Sequence, residues 1–470
     1  MKISEKQIEL EQKLSGLFEE YQTKFFSKDR ACIAENRLRS IDLFKQKGFP
    51  TIQEEVWRNT DLTNALSKDY LHLSGFDTQN VDLDKLFKCD IHNFDTDIIS
   101  LLNGWVVNGG AELKTLSNGV IIGSMAEAMK SLPEFFDNYY GKSEKIDEHS
   151  LSSLNAAMVQ DGVFIYVPDN VEMDRAIQMV SIINHQKGLF VQNRNLIIIG
   201  KNSKLTLVHC DDTTNQLASF NNSVTEVFVG ENAHLDHYKL QNFNNDSTLI
   251  NSTYFHQEAN STISTNAISL NGGLIRNNVF VNLQGEGAHA DVLGVYLMDR
   301  KQHVDNYVFI DHAVPNCTSK ELFKGILDEE SSGVFNGHIL VRQDAQNTNA
   351  FQNNKNILLT DTATIDTKPF LEIYADDVKC SHGATVGQLD AEAMFYLRSR
   401  GITEDNARML LLYAFAAEVI NHISIEALRS RIDDMVKKRL RGELSICENC
   451  VLHCSHPEKE IEFEIDLSKI

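Results

Sequence analysis

The sequence predicts a mainly β protein in which one long β-solenoid lies between α-helical ends. Three observations carry that reading. A strand-and-turn unit recurs about every 30 residues through the middle of the chain. Asn is abundant there, while the whole chain of 470 residues holds only 6 Pro. Helical periodicity is confined to the two ends. The length alone favours roughly three units at about 150 residues each.

Residues 1–95 read as helical. Ser4 and Gln7 have the spacing of a capping box, and Leu10, Leu14, Leu17, Phe18, Tyr21 and Phe25 recur at helical steps. A second helix is expected from about Ala31 to Lys47, ended by Gly48 and Pro50. From about Asp97 short Val-, Ile- and Phe-rich runs split by Gly, Asn and Asp signal strands, and 96–385 is the expected β core.

Between about 195 and 390 the strands repeat. Ser203, Ala233, Ser261 and Ala288 occupy equivalent turns at steps of 30, 28 and 27 residues, with weaker copies around Ser319, Thr348 and Val378. A coil of two strands and two turns cannot bury its inner face alone, so coils stack and share one core. Residues 201–300 contain 15 Asn, which tolerates left-handed turns and can ladder its amide from coil to coil. Pro would remove a ladder donor, hence its scarcity. A β-sandwich is the alternative, but its turns come every 8–12 residues without the longer period.

Residues 386–445 return to helical patterning. Asp390 is placed to cap a short helix, Ala391–Arg400, closed by Gly401. Thr403, Glu404 and Asp405 open a second, through Ile423, with an apolar stripe of Leu410, Leu411, Ala414, Phe415, Ala417 and Ile420. Ser424 is expected to cap a third, through Arg441. So much apolar surface on three short helices implies a docking surface or burial against the end of the solenoid.

Composition narrows the function. With 44 Lys+Arg against 66 Asp+Glu the net charge is −22, which repels phosphate backbones and anionic lipid; neither nucleic acid nor membrane is an expected partner. The longest apolar run, Met409 to Ala417, is far short of the ~20 residues of a membrane span. The N-terminus carries no apolar signal core, and 8 Cys are too few for a disulfide scaffold, so a reduced, cytoplasmic protein is expected. P-loop, dinucleotide-binding, nucleophile-elbow and H-E-x-x-H patterns are absent. Gly285-Glu-Gly287 reads as a solenoid turn. A β-helical carbohydrate-active enzyme would need paired carboxylates on one face. The adjacent pairs Asp211–Asp212 and Asp376–Asp377 point their members to opposite faces in a strand, and they read as turn residues.

Cys380 and His382 stand two apart at the last coil, on one face if the strand persists there. Thiolate and imidazole suit zinc, iron or an iron–sulfur cluster, but two donors do not complete a tetrahedral site, and a buried Cys beside a hydrogen-bonded His has the same spacing. The tail, 446–470, carries Cys447, Cys450, His453, Cys454 and His456. Its Cys-x₂-Cys-x₃-Cys resembles a metal knuckle for zinc or a cluster, with a reactive or incidental tail as the alternative.

The segment Asp366–Asp390, with its Cys380-Ser-His382-Gly-Ala-Thr385, closely resembles the SufB/SufD family, scaffold subunits of the SUF iron–sulfur cluster assembly machinery. So do Pro315–Ile326, Phe395–Gly401, Trp57–Leu62 and Leu154–Pro168, so the resemblance covers most of the chain. The SufD branch is preferred, because the paralogous SufB branch carries Cys-Glu-His-Glu-Ala where Cys380-Ser-His-Gly-Ala384 stands here. The resemblance implies a right-handed parallel β-helix flanked by helices. It implies a non-catalytic subunit of a SufBCD complex, a heterodimer with a SufB-like paralogue in which each chain binds a SufC-like ATPase through its C-terminal helices. It further implies that His382, and with it Cys380, contributes to a transient iron–sulfur cluster shared across the paralogue interface. A homodimeric scaffold acting without its paralogue is the related alternative, and a homodimer is a possible state of the isolated chain.

Overall fold

The structure is a computed structural model and describes residues 5–76, 95–107, 112–142 and 149–441. Ser4 of the expected capping box, and the tail residues Cys447, Cys450 and Cys454, lie outside the described residues. From Val163 onward successive strands alternate between two sheets, so that each sheet receives every second strand. The result is a parallel β-solenoid of about eight coils.

The first sheet runs from Ala176–Ile183 through Lys204–Thr213, His234–Asn242, Thr262–Asn271, His289–Met298, Thr318–Leu327 and Thr348–Leu358 to Val378–Gly387. The second runs from Val163–Val167 through Phe190–Ile199, Phe220–Val229, Thr248–Gln257, Leu274–Leu283, His303–His312 and Ser332–Val341 to Thr364–Ile373. All of these neighbours pair in parallel, while short antiparallel strands close the opposite end around Thr96–Leu102 and Ile121–Ser124.

Asn makes one corner of the coils. Asn202, Asn232, Asn260, Asn316 and Asn347 have φ between 53° and 62°, and Gly287 takes the same place in the coil between. The side-chain amide of Asn202 donates to Asn170 Oδ1 (2.9 Å), and that of Asn232 to Asn202 Oδ1 (3.0 Å), so the corner residues form a ladder of their own. The residue after each corner is small and buried: Ser203, Ala233, Ser261, Ala288, Cys317 and Thr348. The fifth equivalent position is therefore Cys317 and not Ser319, because register pairs His289 with Thr318. The one Pro within a long strand, Pro369, lies in the last strand of its sheet, where a missing donor disrupts least.

Both outer faces are covered over most of their length. Helices Glu5–Lys24, Ala31–Lys47 and Ser150–Met158 bury Leu14, Phe18, Phe44 and Leu154 over Phe190, Phe220 and Ile250 of the second sheet. At the other end of the chain, helices Glu404–Ile420 and Glu426–Leu440 bury Leu412, Ala416, Val419, Leu428 and Ile432 against Val208, Tyr238, Leu293 and Ile326 of the first. The C-terminal helices thus lie along a side of the solenoid, not at its end. Of the expected stripe only Ile420 is fully buried. The sheet takes the opposite face, and Leu410, Leu411 and Ala417 remain half-buried beside an exposed Ala414. Asp390 and Thr403 cap their helices as expected. Ser424 does not: its hydroxyl bonds Tyr238 (2.9 Å) and Asp236 (3.4 Å), and Ile425 stands at the N-cap of the third helix. Among the described residues no helix is long and apolar enough to cross a membrane.

A strap around Trp57 crosses the second sheet. The Arg276 guanidinium lies 3.8 Å from the Trp57 ring centre and pairs with Asp305, which also accepts from the Thr60 hydroxyl. Arg276 and Asp305 are both buried. Removing one partner strands the other charge, at a cost of about 3–5 kcal/mol, whereas replacing both by apolar groups restores most of it. We expect Arg276→Met to lower the thermal midpoint markedly and Arg276→Met/Asp305→Leu to recover it; a double variant no more stable than the single one would dismiss this account.

Candidate functional site

The last coil consists of Thr364–Ile373 and Val378–Gly387, the terminal strands of the two sheets. The turn between them is held to the coil before: Tyr374 N–H donates to Val341 O (2.9 Å), Asn347 N–H to Asp377 O (2.7 Å), and Asp377 N–H to the Gln346 side chain (2.9 Å). Asp376 and Asp377 therefore do mark a turn, as expected. Among the described residues no coil follows, so each strand leaves one hydrogen-bonding edge unpaired there, and its inward side chains are only partly covered.

Cys380 and His382 both lie in Val378–Gly387, paired by register with Ala350 and Gln352, and both project on the inward face. At the strand rise they are about 6.6 Å apart along the chain. Cys380 is half-buried and packs against the solenoid core, whereas His382 is exposed at the open rim. Burial pushes the Cys380 thiol up, and a hydrogen bond from the Ala350 backbone only partly offsets it. The thiol therefore stays protonated until a metal or a base competes for the proton. A soft sulfur donor and an imidazole on one face suit an iron–sulfur cluster carried as cargo. Among the described residues no group of three or more His, Cys, Asp and Glu side chains is placed to hold a metal ion, and two donors alone do not complete a tetrahedral site.

Beneath His382 the same inward column continues to Gln352 and Glu321, at spacings of 30 and 31 residues, one coil apart each. Both are buried, and the Gln352 amide donates to Glu321 Oε2 (3.0 Å). Gly337 on the facing sheet makes this possible: a Cβ there would stand 2.2 Å from Gln352 Nε2. Burial pushes the Glu321 carboxyl up to about 8, the Gln352 bond opposing it only in part. Neither residue was anticipated from the sequence, although strand parity contained the signal. Phe323 and Leu327 are core residues, so Glu321, two before Phe323, must also point inward.

Deeper in the solenoid a second polar group sits inside. Lys239 Nζ lies 3.1 Å from Asp211 Oδ2 and 2.7 Å from Asn251 Oδ1, with His209 3.3 Å from Asp211. Burial alone would raise the Asp211 carboxyl, but His209 and Lys239 outweigh it and hold it below the usual carboxylate range. Asp211 and Asp212 thus belong to a strand and not to the turn expected for them, and they face opposite sides of the sheet. The pair required for glycan cleavage is not there.

The surface at the open end is apolar. Phe351, Phe370, Ile373, Tyr374 and Val386 are exposed, and helix Ala391–Ser399 buries no residue, leaving Phe395 76% and Tyr396 56% accessible.

Glu321 has a consequence for stability. Between about pH 4.5 and 8 the folded chain keeps a proton that the unfolded chain has released, so stability falls as pH rises through that window, at a limiting slope of about 1.4 kcal/mol per pH unit. Glu321→Gln is neutral throughout. Its thermal midpoint should gain on that of the natural chain between pH 5 and 9; a constant difference would refute the shift.

Comparison with known proteins points the same way. The family model described as "SUF system FeS cluster assembly, SufBD core domain" matches residues 181–415, and "SufBD protein N-terminal region" matches 8–179. An iron–sulfur cluster assembly SufBD family protein of Synechocystis sp. is 30% identical over 443 residues, covering 92% of this chain and 96% of its own length. SufD of Escherichia coli is 28% identical over 402 residues (84% and 90%), and SufD of Bacillus subtilis 29% over 334 (70% and 76%).

Proposed function

Because the chain belongs to the SufBD family of the SUF iron–sulfur cluster assembly system, and is SufD-like within it, we propose that it is the SufD-type scaffold subunit of a SufBCD complex in the cytoplasm. The observation that carries this reading is the open end: two ten-residue strands with unpaired edges, ringed by exposed aromatic and aliphatic side chains, with Cys380 and His382 among them. Uncovered strand edges of this length invite pairing with another chain, and a SufB-like paralogue ending in the same kind of coil would complete both sheets. Cys380 and His382 would then face a shared interior and contribute ligands to a cluster built there, the others coming from the paralogue. The chain acts without chemistry of its own, in keeping with the missing P-loop.

The half-exposed face of Glu404–Ile420, with Leu410, Leu411 and Ala417, and the uncovered helix Ala391–Ser399 offer a docking surface for a SufC-like ATPase. Movement of the ATPase would be transmitted through these helices to the adjoining last coil, opening the junction and exposing Cys380 and His382. Co-expression with SufB-like and SufC-like chains under anaerobic conditions tests the proposal. We expect the three to co-purify with iron and sulfide. His382→Ala should fold and co-purify yet lose most of the iron and sulfide and fail to support cluster assembly in cells. A chain that purifies alone or only as its own homodimer, or full activity of the variant, would overturn it.

A further inference from the structure

A histidine that binds metal through one ring nitrogen donates its other N–H to an acceptor, which fixes the tautomer and the ring plane. In the last coil that acceptor is not obvious, because His382 is exposed and its strand neighbours Ser381 and Gly383 face the other way. One group does fit. Gln352 is the register partner of His382 in the neighbouring strand, on the same inward face, at the roughly 4.8 Å spacing of paired strands. Gln352 is buried, its amide nitrogen is engaged by Glu321, and its buried Oε1 has no hydrogen-bond partner among the described residues. An orphaned buried carbonyl costs about 1–3 kcal/mol and is rarely left so without use.

We propose that Gln352 is the positioning residue for His382: its amide oxygen accepts the imidazole N–H that faces away from the cluster, and Glu321 holds the amide in that orientation. This rests on the reading of His382 as a cluster ligand. The geometry explains three features together. Glu321 is buried, and among the described residues its hydrogen-bond partner is the Gln352 amide nitrogen, which leaves the Gln352 carbonyl free. Gly337 leaves room for the amide to reach its place. The spacing of one coil aligns Glu321, Gln352 and His382 in a single column. When a partner covers the open end, the rim imidazole leaves water, and the free carbonyl replaces the hydrogen bond it loses.

The test uses the complex of the full chain with its SufB-like and SufC-like partners, loaded anaerobically and reduced, with pulsed electron paramagnetic resonance reading the nitrogen couplings of the cluster. In the natural complex a histidine nitrogen couples directly, and the quadrupole coupling of the remote nitrogen reports its hydrogen bond. His382→Ala should abolish the histidine signal. Gln352→Leu should keep the direct coupling but shift the remote one, and lower iron retention on chelator challenge by about 10-fold or more. Glu321→Leu, which removes the acceptor of the amide nitrogen, and Gly337→Ala, which displaces the amide, should both mimic Gln352→Leu. A histidine signal unchanged in His382→Ala would overturn the ligand reading itself. A signal lost in His382→Ala but a remote coupling unmoved in Gln352→Leu would overturn only the role of Gln352.

Discussion

Parallel strand pairing between successive coils is the interaction on which everything else here depends. Each coil supplies one strand to each sheet, and parallel pairing runs from Val163 to the last strand with a register shift at Gln241/Asn242. A coil by itself has no core, so its inner residues are buried only because another coil lies on either side. The last coil has a neighbour on one side only. Its unpaired edge and its partly covered inner face are therefore not incidental: they follow from ending a solenoid without a cap, and they leave Cys380 and His382 at an open end.

The same stacking aligns equivalent residues, which turns single chemical choices into columns. Asn at one corner becomes an amide ladder through Asn170, Asn202 and Asn232. Inward polar residues become a column, with Glu321, Gln352 and His382 in line. Inward glycines make room for large neighbours: Gly325 faces the Tyr296 ring and Gly337 the Gln352 amide. Buried charge is tolerated where it is paired, as in Arg194–Glu226, fully buried with a 2.7 Å contact.

The helices at both ends solve a separate problem. A strand buried on one face alternates apolar and polar residues, but Phe220–Val229 is buried at every position. The N-terminal helices cover the second sheet and the C-terminal helices the first, and the cover thins toward the last coil. Helix Glu404–Ile420 needed two apolar faces for this, one for the sheet and one left over. That is why its stripe signalled more apolar surface than one packed face needs: the sheet buries Leu412, Ala416 and Val419, while Leu410, Leu411 and Ala417 stay half-buried.

Much of this was legible in the residues themselves. A repeat near 30 residues, turn-forming Asn and scarce Pro determine a stacked coil, because length and turn chemistry are local properties. Alternation likewise puts Cys380 and His382 on one face. Other features are not local. Whether position 317 or 319 is the fifth equivalent depends on interstrand register, and whether Ser424 caps a helix depends on Tyr238, 186 residues away. Asp211 and Asp212 read as turn residues because adjacent strand positions face opposite sides, whereas Lys239 of the next coil, with His209 of the same strand, pairs with Asp211 inside the solenoid. Gln352 gained its place beneath His382 in the same way. The sequence alone determined the coil and its chemistry; which side chains meet across coils was decided by the tertiary structure, because stacking joins residues that are about 30 positions apart.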